Sequence, residues 1–272
     1  MNKKQTLLWQ IDRDDLLGSS YLFGTMHVRD NKAFTLIEQV EKLMKRCDAL
    51  ATEYDLDDQG NSEGLSDIFS AQQSLEEALP LKTYTKLKSV LWKNLGKNLD
   101  FLKQASPFMV TNAIAAQVLS QDTPLSLDEH LWHFAKDANK QTIGIETLAE
   151  QLAIVQEIPA SAHIKNLAHI ASNFTQYRKQ IIKMADWYAA GNIAQLHRAS
   201  IKGQGSLKRL LIYDRNAIMA ERIEQIIGRQ TTVCAIGAGH LAGEKGVLRL
   251  LKFKGLKIRP LKGTNSSILS PF

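Results

Sequence analysis

The feature that most constrains this chain occurs twice, once near each end. Residues Leu22-Phe-Gly-Thr-Met-His27 end an apolar run at a glycine and present a histidine three residues later. Residues Val233-Cys-Ala-Ile-Gly-Ala-Gly-His240 do the same. Each copy is followed by an amphipathic helical pattern and then a strand. After the first copy, Phe34, Ile37, Val40, Leu43, Met44 and Cys47 recur at spacings of three and four, and residues 49–54 read as a strand. After the second, residues 242–254 read as a helix stopped by Gly255, and residues 256–261 as a strand that Pro260 assigns to a sheet edge. A strand, turn and strand over residues 7–23 precede the first histidine. Chain ends sharing this plan predict an α/β fold: a central mixed sheet built from the N- and C-terminal halves, with flanking helices.

The middle of the chain is predicted to be a helical insertion, about residues 65–230, interrupted by a strand near 141–146. The polar run 55–64 reads as a loop. Pro80 and Pro107 suit first turns of helices. Ser126 and Glu129 have the spacing of a capping box, and Thr147 is placed to cap the helix after the strand. Residues 160–190 and 207–227 read as long helices. The aromatic residues Trp92, Phe101, Trp132 and Trp187 are assigned to core packing, in preference to a partner-binding surface on these helices. One domain is expected over 1–272.

Composition narrows the class. Of 272 residues, 44% are hydrophobic and 23% charged, enough for a substantial core. Cys47 and Cys234 sit in apolar patterns and are expected as buried free thiols. The net charge of +6 is scattered. Its dense groups are Lys202/Lys208/Arg209 and Lys252/Lys254/Lys257/Arg259, and the second alternates with Leu251, Phe253, Leu256 and Ile258, as on the wet side of a helix and strand. No nucleic-acid motif accompanies them, so no nucleic-acid partner is expected. No apolar run is long enough to span a membrane. The first residues lack the pattern of a secretory signal, so a cytoplasmic location is expected unless a signal was removed.

In open α/β sheets ligands gather beyond the carboxyl ends of the strands. His27, Glu53, Glu146 and His240 all fall at or near such ends. Imidazoles with carboxylates suit a divalent transition metal, zinc, manganese, cobalt or ferrous iron, with Mn, Co and Zn foremost, and leave positions open for water and substrate. Such an ion activates water and polarises a carbonyl, which makes the expected chemistry hydrolytic. Gly24 and Gly237 are expected to permit sharp turns through dihedrals closed to other residues. Taken singly, a Gly-x-x-His is nonspecific and a strand-end glutamate is commonly just solvated; the paired arrangement carries the argument. His130 and His133 fit a helix surface. His163, His169 and His197 lie in helical patterns without carboxylates at ligand spacing.

The set Leu22-Phe-Gly-Thr-Met-His27, Glu53, Ile143-Gly-Ile-Glu146-Thr-Leu-Ala-Glu-Gln151, Arg215-Asn216 and Gly237-Ala-Gly-His240-Leu-Ala-Gly-Glu-Lys-Gly246 resembles the TraB/GumN family, over about residues 7–261. That family includes the Tiki metalloproteases and is related in fold to erythromycin esterase and the haem-binding ChaN proteins. The resemblance implies a metal-dependent hydrolase, foremost a Tiki-like peptidase. Its implied metal ligands are His27, His240 and Glu53, and its implied catalytic residues are Glu53, Glu146, Arg215 and Asn216. Gly24, Gly237 and Gly239 complete the motif, and the guanidinium and amide of Arg215 and Asn216 are implied to stabilise an oxyanion. The substrate is then a peptide or small molecule. A non-catalytic haem- or ligand-binding protein of the same fold is the alternative.

Overall fold

The structure, a computed structural model, describes residues 5–58 and 74–262. Strands β1 (Leu8–Asp12) and β2 (Ser20–Thr25) form an antiparallel hairpin with Leu8 opposite Phe23. Helix α1 (Ile37–Arg46) leads into β3 (Ala49–Thr52). A helical stretch follows: α2 (Leu75–Ala78), α3 (Leu81–Leu95), α4 (Pro107–Val118) and α5 (Leu127–Asp137). After β4 (Gln141–Gly144) come α6 (Leu148–Gln156), α7 (Ala160–Ala189), α8 (Ile193–Ile201) and α9 (Arg215–Ile227). Strand β5 (Thr232–Gly237), helix α10 (Val247–Phe253) and strand β6 (Lys257–Pro260) complete the order.

The six strands form one sheet in the order β4-β3-β5-β2-β1-β6. Strand β5, from the C-terminal half, pairs in parallel with both β2 and β3 from the N-terminal half. β4 is parallel to β3, and β1 is antiparallel to both β2 and β6. The mixed sheet is therefore assembled from both halves, as the twin patterns predict, and β6 with Pro260 lies at an edge.

Strand alternation divides the core in two. Phe23, Leu50, Val233 and Ala235 face α1 and α5, where Val40, Met44, Leu131 and Trp132 cover them. Leu22, Ala51, Cys234 and Ile236 face α9 and α10, against Met219, Ile223, Val247 and Leu251. Each large side chain buried there contributes about 1.5–3 kcal/mol. The helical insertion has a core of its own, in which Leu87 and Leu91 of α3 and Val110 and Ile114 of α4 meet Leu167, Ile170 and Phe174 of α7. Helix α7 serves both parts. It bends at Asn173 (φ −132°, ψ 36°), and beyond the bend Tyr188 donates to the Gly24 carbonyl oxygen at 2.7 Å.

Local chemistry accounts for several boundaries. Ser126 and Glu129 close the expected capping box on α5, and Thr147 and Glu150 close another on α6. Pro80 caps α3, and Pro107 occupies the first turn of α4. Other expectations are corrected. The helix expected from residue 242 begins only at Val247, because Gly243 takes φ +96° and Gly246 is the N-cap. The helix expected from 207 contains a π-helical turn, Arg209–Asp214, just ahead of α9. Trp132 is buried, but Trp92 and Phe101 are 63% and 88% exposed, since they sit on the helix faces opposite buried Leu91 and Leu99. The expected loop and helical pattern over residues 59–73 lie outside the described residues.

Candidate functional site

The site lies beyond the carboxyl ends of the parallel strands. His27 follows β2, Glu53 follows β3, Glu146 follows β4 by two residues, and His240 ends a short 3-10 turn, Ala238–His240, after β5. Parallel pairing of adjacent strands places these ends side by side, and α9 brings in Arg215 at its first residue.

Glu53 and Glu146 are buried, and Arg215 bridges them. Its Nη2 donates to Glu53 Oε2 at 2.9 Å and to Glu146 Oε2 at 2.6 Å, and its Nε donates to Glu146 Oε1 at 3.0 Å. Gln151 adds a donor to each carboxylate, at 3.4 and 3.1 Å. The Gly237 backbone N–H donates to Glu53 Oε1 at 2.6 Å. Burial alone would raise the Glu53 carboxyl. The His240 and His27 imidazoles, the Arg215 guanidinium and the Gly237 N–H outweigh it and hold the group down at about 2. Against the cost of its own burial, Arg215 is raised by the same carboxylates.

Each imidazole has an oxygen beside its Nδ1. His240 Nδ1 lies 2.7 Å from Asn216 Oδ1, and Asn216 Nδ2 donates to the Lys245 carbonyl oxygen at 2.7 Å. A carbonyl only accepts, so the Asn216 amide is oriented with its oxygen toward His240. His240 Nδ1 must then be the donor, which leaves the lone pair on Nε2. Burial lowers this imidazole to about 4, so it is neutral near pH 7. His27 differs. Its side chain is 54% exposed, and its Nδ1 lies 2.7 Å from Asp128 Oδ2. That oxygen is buried, and its contact with His27 is an ion-pair distance without hydrogen-bond geometry; it accepts no hydrogen bond among the described residues. The Asp128 carboxylate raises His27 to about 9.

The structure thus brings His27, Glu53, Glu146, Arg215 and His240 into one electrostatic neighbourhood. Asn216 is fully buried, and its amide is spent on His240 and Lys245, so it positions an imidazole rather than offering a donor to substrate. The glycine expectation also changes. Neither Gly24 nor Gly237 has a positive φ. Their requirement is space: a Cβ on Gly24 would stand 2.6 Å from Leu241 Cδ1, and one on Gly237 would stand 2.9 Å from Glu53 Oε1. A Cβ on Gly239 would meet Ser200 Cβ at 3.0 Å.

Sequence reasoning missed Asp128, which looks like an ordinary acid in the first turn of α5. It also passed over His197, which is buried with its Nδ1 2.9 Å from the Gly239 carbonyl oxygen and so braces the turn bearing His240. Both partnerships cross between distant segments and leave no spacing signal.

The donor chemistry suits a divalent ion. Both imidazoles have Nδ1 beside an oxygen, the arrangement that orients metal-bound histidine, and a carboxylate lies beside them; His240 offers a free Nε2 lone pair, whereas His27 must shed a proton to ligate. Among the described residues, no three His, Cys, Asp or Glu side chains are gathered at ligating positions. Binding would therefore require adjustment, and half-exposed His27, on the loop after β2, is the ligand with room to make it.

The sequence pattern of the TraB/PrgY/gumN family matches residues 7–260, a span that contains all of these residues. The chain belongs to the TraB/PrgY/gumN family. Among curated relatives, metalloprotease TIKI2 of Danio rerio is 25% identical, over 93% of this chain and 60% of its own length. Metalloprotease TIKI1 of the same species is 24% identical, over 93% of this chain and 62% of its own. The uncharacterized protein YbaP of Shigella flexneri is 25% identical, over 86% of this chain and 88% of its own. The chain spans about three-fifths of the length of these two TIKI relatives. No solved structure matches it. No helix among the described residues is long and apolar enough to cross a membrane.

Proposed function

We propose that this protein is a metal-dependent hydrolase acting on peptide bonds. The observation that carries the reading is that two imidazoles, one hydrogen-bonded to Asn216 and one ion-paired with Asp128, act electrostatically on a buried carboxylate that is also paired with an arginine. His27 and His240 would hold the ion through Nε2, with Glu53 as the carboxylate ligand. A divalent ion there, Mn, Co or Zn, supplies Lewis acidity to water and to a substrate carbonyl.

The remaining steps belong to the chain's own groups. Glu53, ionised above about pH 2, stays negatively charged near neutral pH and so is available as the carboxylate ligand. Arg215 donates to both glutamates, while its Nη1 carries no hydrogen bond among the described residues and remains a donor for an oxygen gaining charge. Glu146, with both oxygens on Arg215, fixes the plane of the guanidinium. Asn216 and Asp128 hold the two rings. Similarity to proteins named metalloproteases supports the same reading. A haem- or ligand-binding role without catalysis is served less well by a pocket built of two carboxylates and a guanidinium.

The test is elemental analysis of untagged protein with a peptide-hydrolysis assay. The native protein is expected to carry a divalent metal. His27→Ala and His240→Ala are each expected to lose metal and hydrolysis while retaining the native circular dichroism spectrum. Undiminished metal in both variants would refute the reading.

A further inference from the structure

A cleft of about 1030 Å³ opens between α4, α7, α8 and the segment leading into α9. It lies at the upper end of the roughly 300–1,000 Å³ typical of ligand pockets. Its lining is chemically one-sided. Lys183, Arg198 and Lys202 contribute three cations, and no Asp or Glu lines it among the described residues. None of the three cations forms an ion pair with a described residue, although Lys183 stands 5.1 Å from the centre of the Trp187 ring. The contrast with the C-terminal basic group is informative. There Lys254 pairs with Glu221 and Glu224, Lys257 with Asp14 and Arg259 with Asp12. Those three C-terminal cations are neutralised within the fold, whereas Lys183, Arg198 and Lys202 face the cleft without an ion pair among the described residues.

The cleft adjoins the catalytic cluster along two elements. On α8, His197 and Ser200 pack against the turn that bears His240, while Arg198 and Lys202 line the cleft. In the segment leading into α9, Leu207 and Leu211 line the cleft, and Arg215 follows at the same spacing of four. The π-helical turn Arg209–Asp214 carries the chain from Leu211 to Arg215, so the segment that lines the cleft leads on to the residue bearing the guanidinium. Side-chain amides such as Gln195 and Gln204 add groups that can pair with an extended backbone.

We propose that this cleft binds an acidic segment of a peptide substrate, holding Asp and Glu side chains on Arg198, Lys202 and Lys183 while the chain runs on toward Arg215. The substrate class is then peptides with acidic residues on one side of the scissile bond. The proposal rests on the hydrolase reading only for what happens to the peptide after it binds.

Fluorescence anisotropy of a labelled octapeptide rich in Asp and Glu, against its Asn/Gln analogue, tests the cleft in the full chain. The acidic peptide is expected to bind at least about tenfold more tightly at ~0.15 M salt, with the preference shrinking as salt rises. The double charge reversal Arg198→Glu with Lys202→Glu changes only exposed side chains and is expected to abolish the preference with the fold intact. Equal binding of the two peptides, a preference that survives the charge reversal, or tighter binding of a short single-stranded oligonucleotide would overturn it. The same measurement on His240→Ala separates the two readings. Retained acidic preference there supports the cleft whatever the metal content shows, and a preference lost there overturns the cleft.

Discussion

Single residues in this site are specified by their partners more than by their own chemistry. His27 and His240 look alike in sequence, yet burial drives one imidazole down to about 4 and a carboxylate drives the other up to about 9. Asp128 makes the difference, being a buried acid whose partner is His27. Partners that orient a metal-bound histidine are typically worth about 10–100-fold in metal affinity. On the proposed metal-site reading, Asp128→Ala is expected to weaken metal binding by about that factor while leaving the far-ultraviolet spectrum native. A competitive chelator titration measures it, and unchanged affinity would remove Asp128 from the site. The placement of the two histidines and Glu53 at the ends of strands was legible because each follows an apolar run. Asp128, Asn216 as a positioning group and His197 were not, because their partners come from other elements. The glycines were legible as a motif but for the wrong reason: Gly24 and Gly237 make room for Leu241 and Glu53, and a neighbour's proximity is invisible in one segment.

Elements are joined at this site by a few ionic contacts. Arg222 of α9 clamps Glu150 in the first turn of α6, with bonds of 2.6 and 2.7 Å, and also donates to the Ile145 carbonyl oxygen at 3.0 Å. This ties the helix carrying Arg215 to the segment carrying Glu146. Hydrogen bonds from Arg222 are the leading cause that lowers the Glu150 carboxyl to about 2. A carboxyl depressed in the folded state stabilises the fold above its ordinary value of about 4.3, and that contribution is lost as pH falls through about 2. The pair is more than a third exposed, so solvent screening limits it to about 1 kcal/mol. Arg222→Gln is expected to lower the melting temperature by about 2–4 °C at pH 7, with the gap to the native protein closing between about pH 4.5 and pH 2. Thermal unfolding followed by circular dichroism across that range is the check, and a gap independent of pH would count against the clamp. Capping boxes, by contrast, were readable in advance, because Ser126 and Thr147 satisfy backbone groups within four residues of themselves.

Across the whole molecule the sheet makes the two halves interdependent. β5 lies between β2 and β3, so neither the N-terminal strands nor the C-terminal motif completes the sheet alone. Cys234 is in the middle of β5 and fully buried, and burial raises its thiol far above the ordinary range. Cys47 is buried at the C-cap of α1 and pushed up to about 11, chiefly by burial. Exposing Cys234 requires opening the centre of the sheet, which is equivalent to unfolding it. Labelling of Cys234 by an aromatic disulfide at pH 8 is thus expected to be negligible in the native protein and to rise with the loss of circular dichroism in urea. Rapid labelling of the native state would show that the halves separate more easily than the strand order implies.

What the sequence determined by itself was local. The 2-residue and 3.6-residue apolar periods fixed the α/β class, the capping residues fixed several helix starts, and the repeated Gly-x-x-His marked both strand ends that carry imidazoles. The tertiary structure decided which strand lies beside which, and with it the joining of Glu53 and Glu146 through Arg215, the capture of His27 by Asp128, and the unpaired cations along the cleft. The physical reason is range. Hydrogen bonding and periodicity act within a few residues of the chain, whereas a buried ion pair depends on packing that brings together segments lying far apart along it.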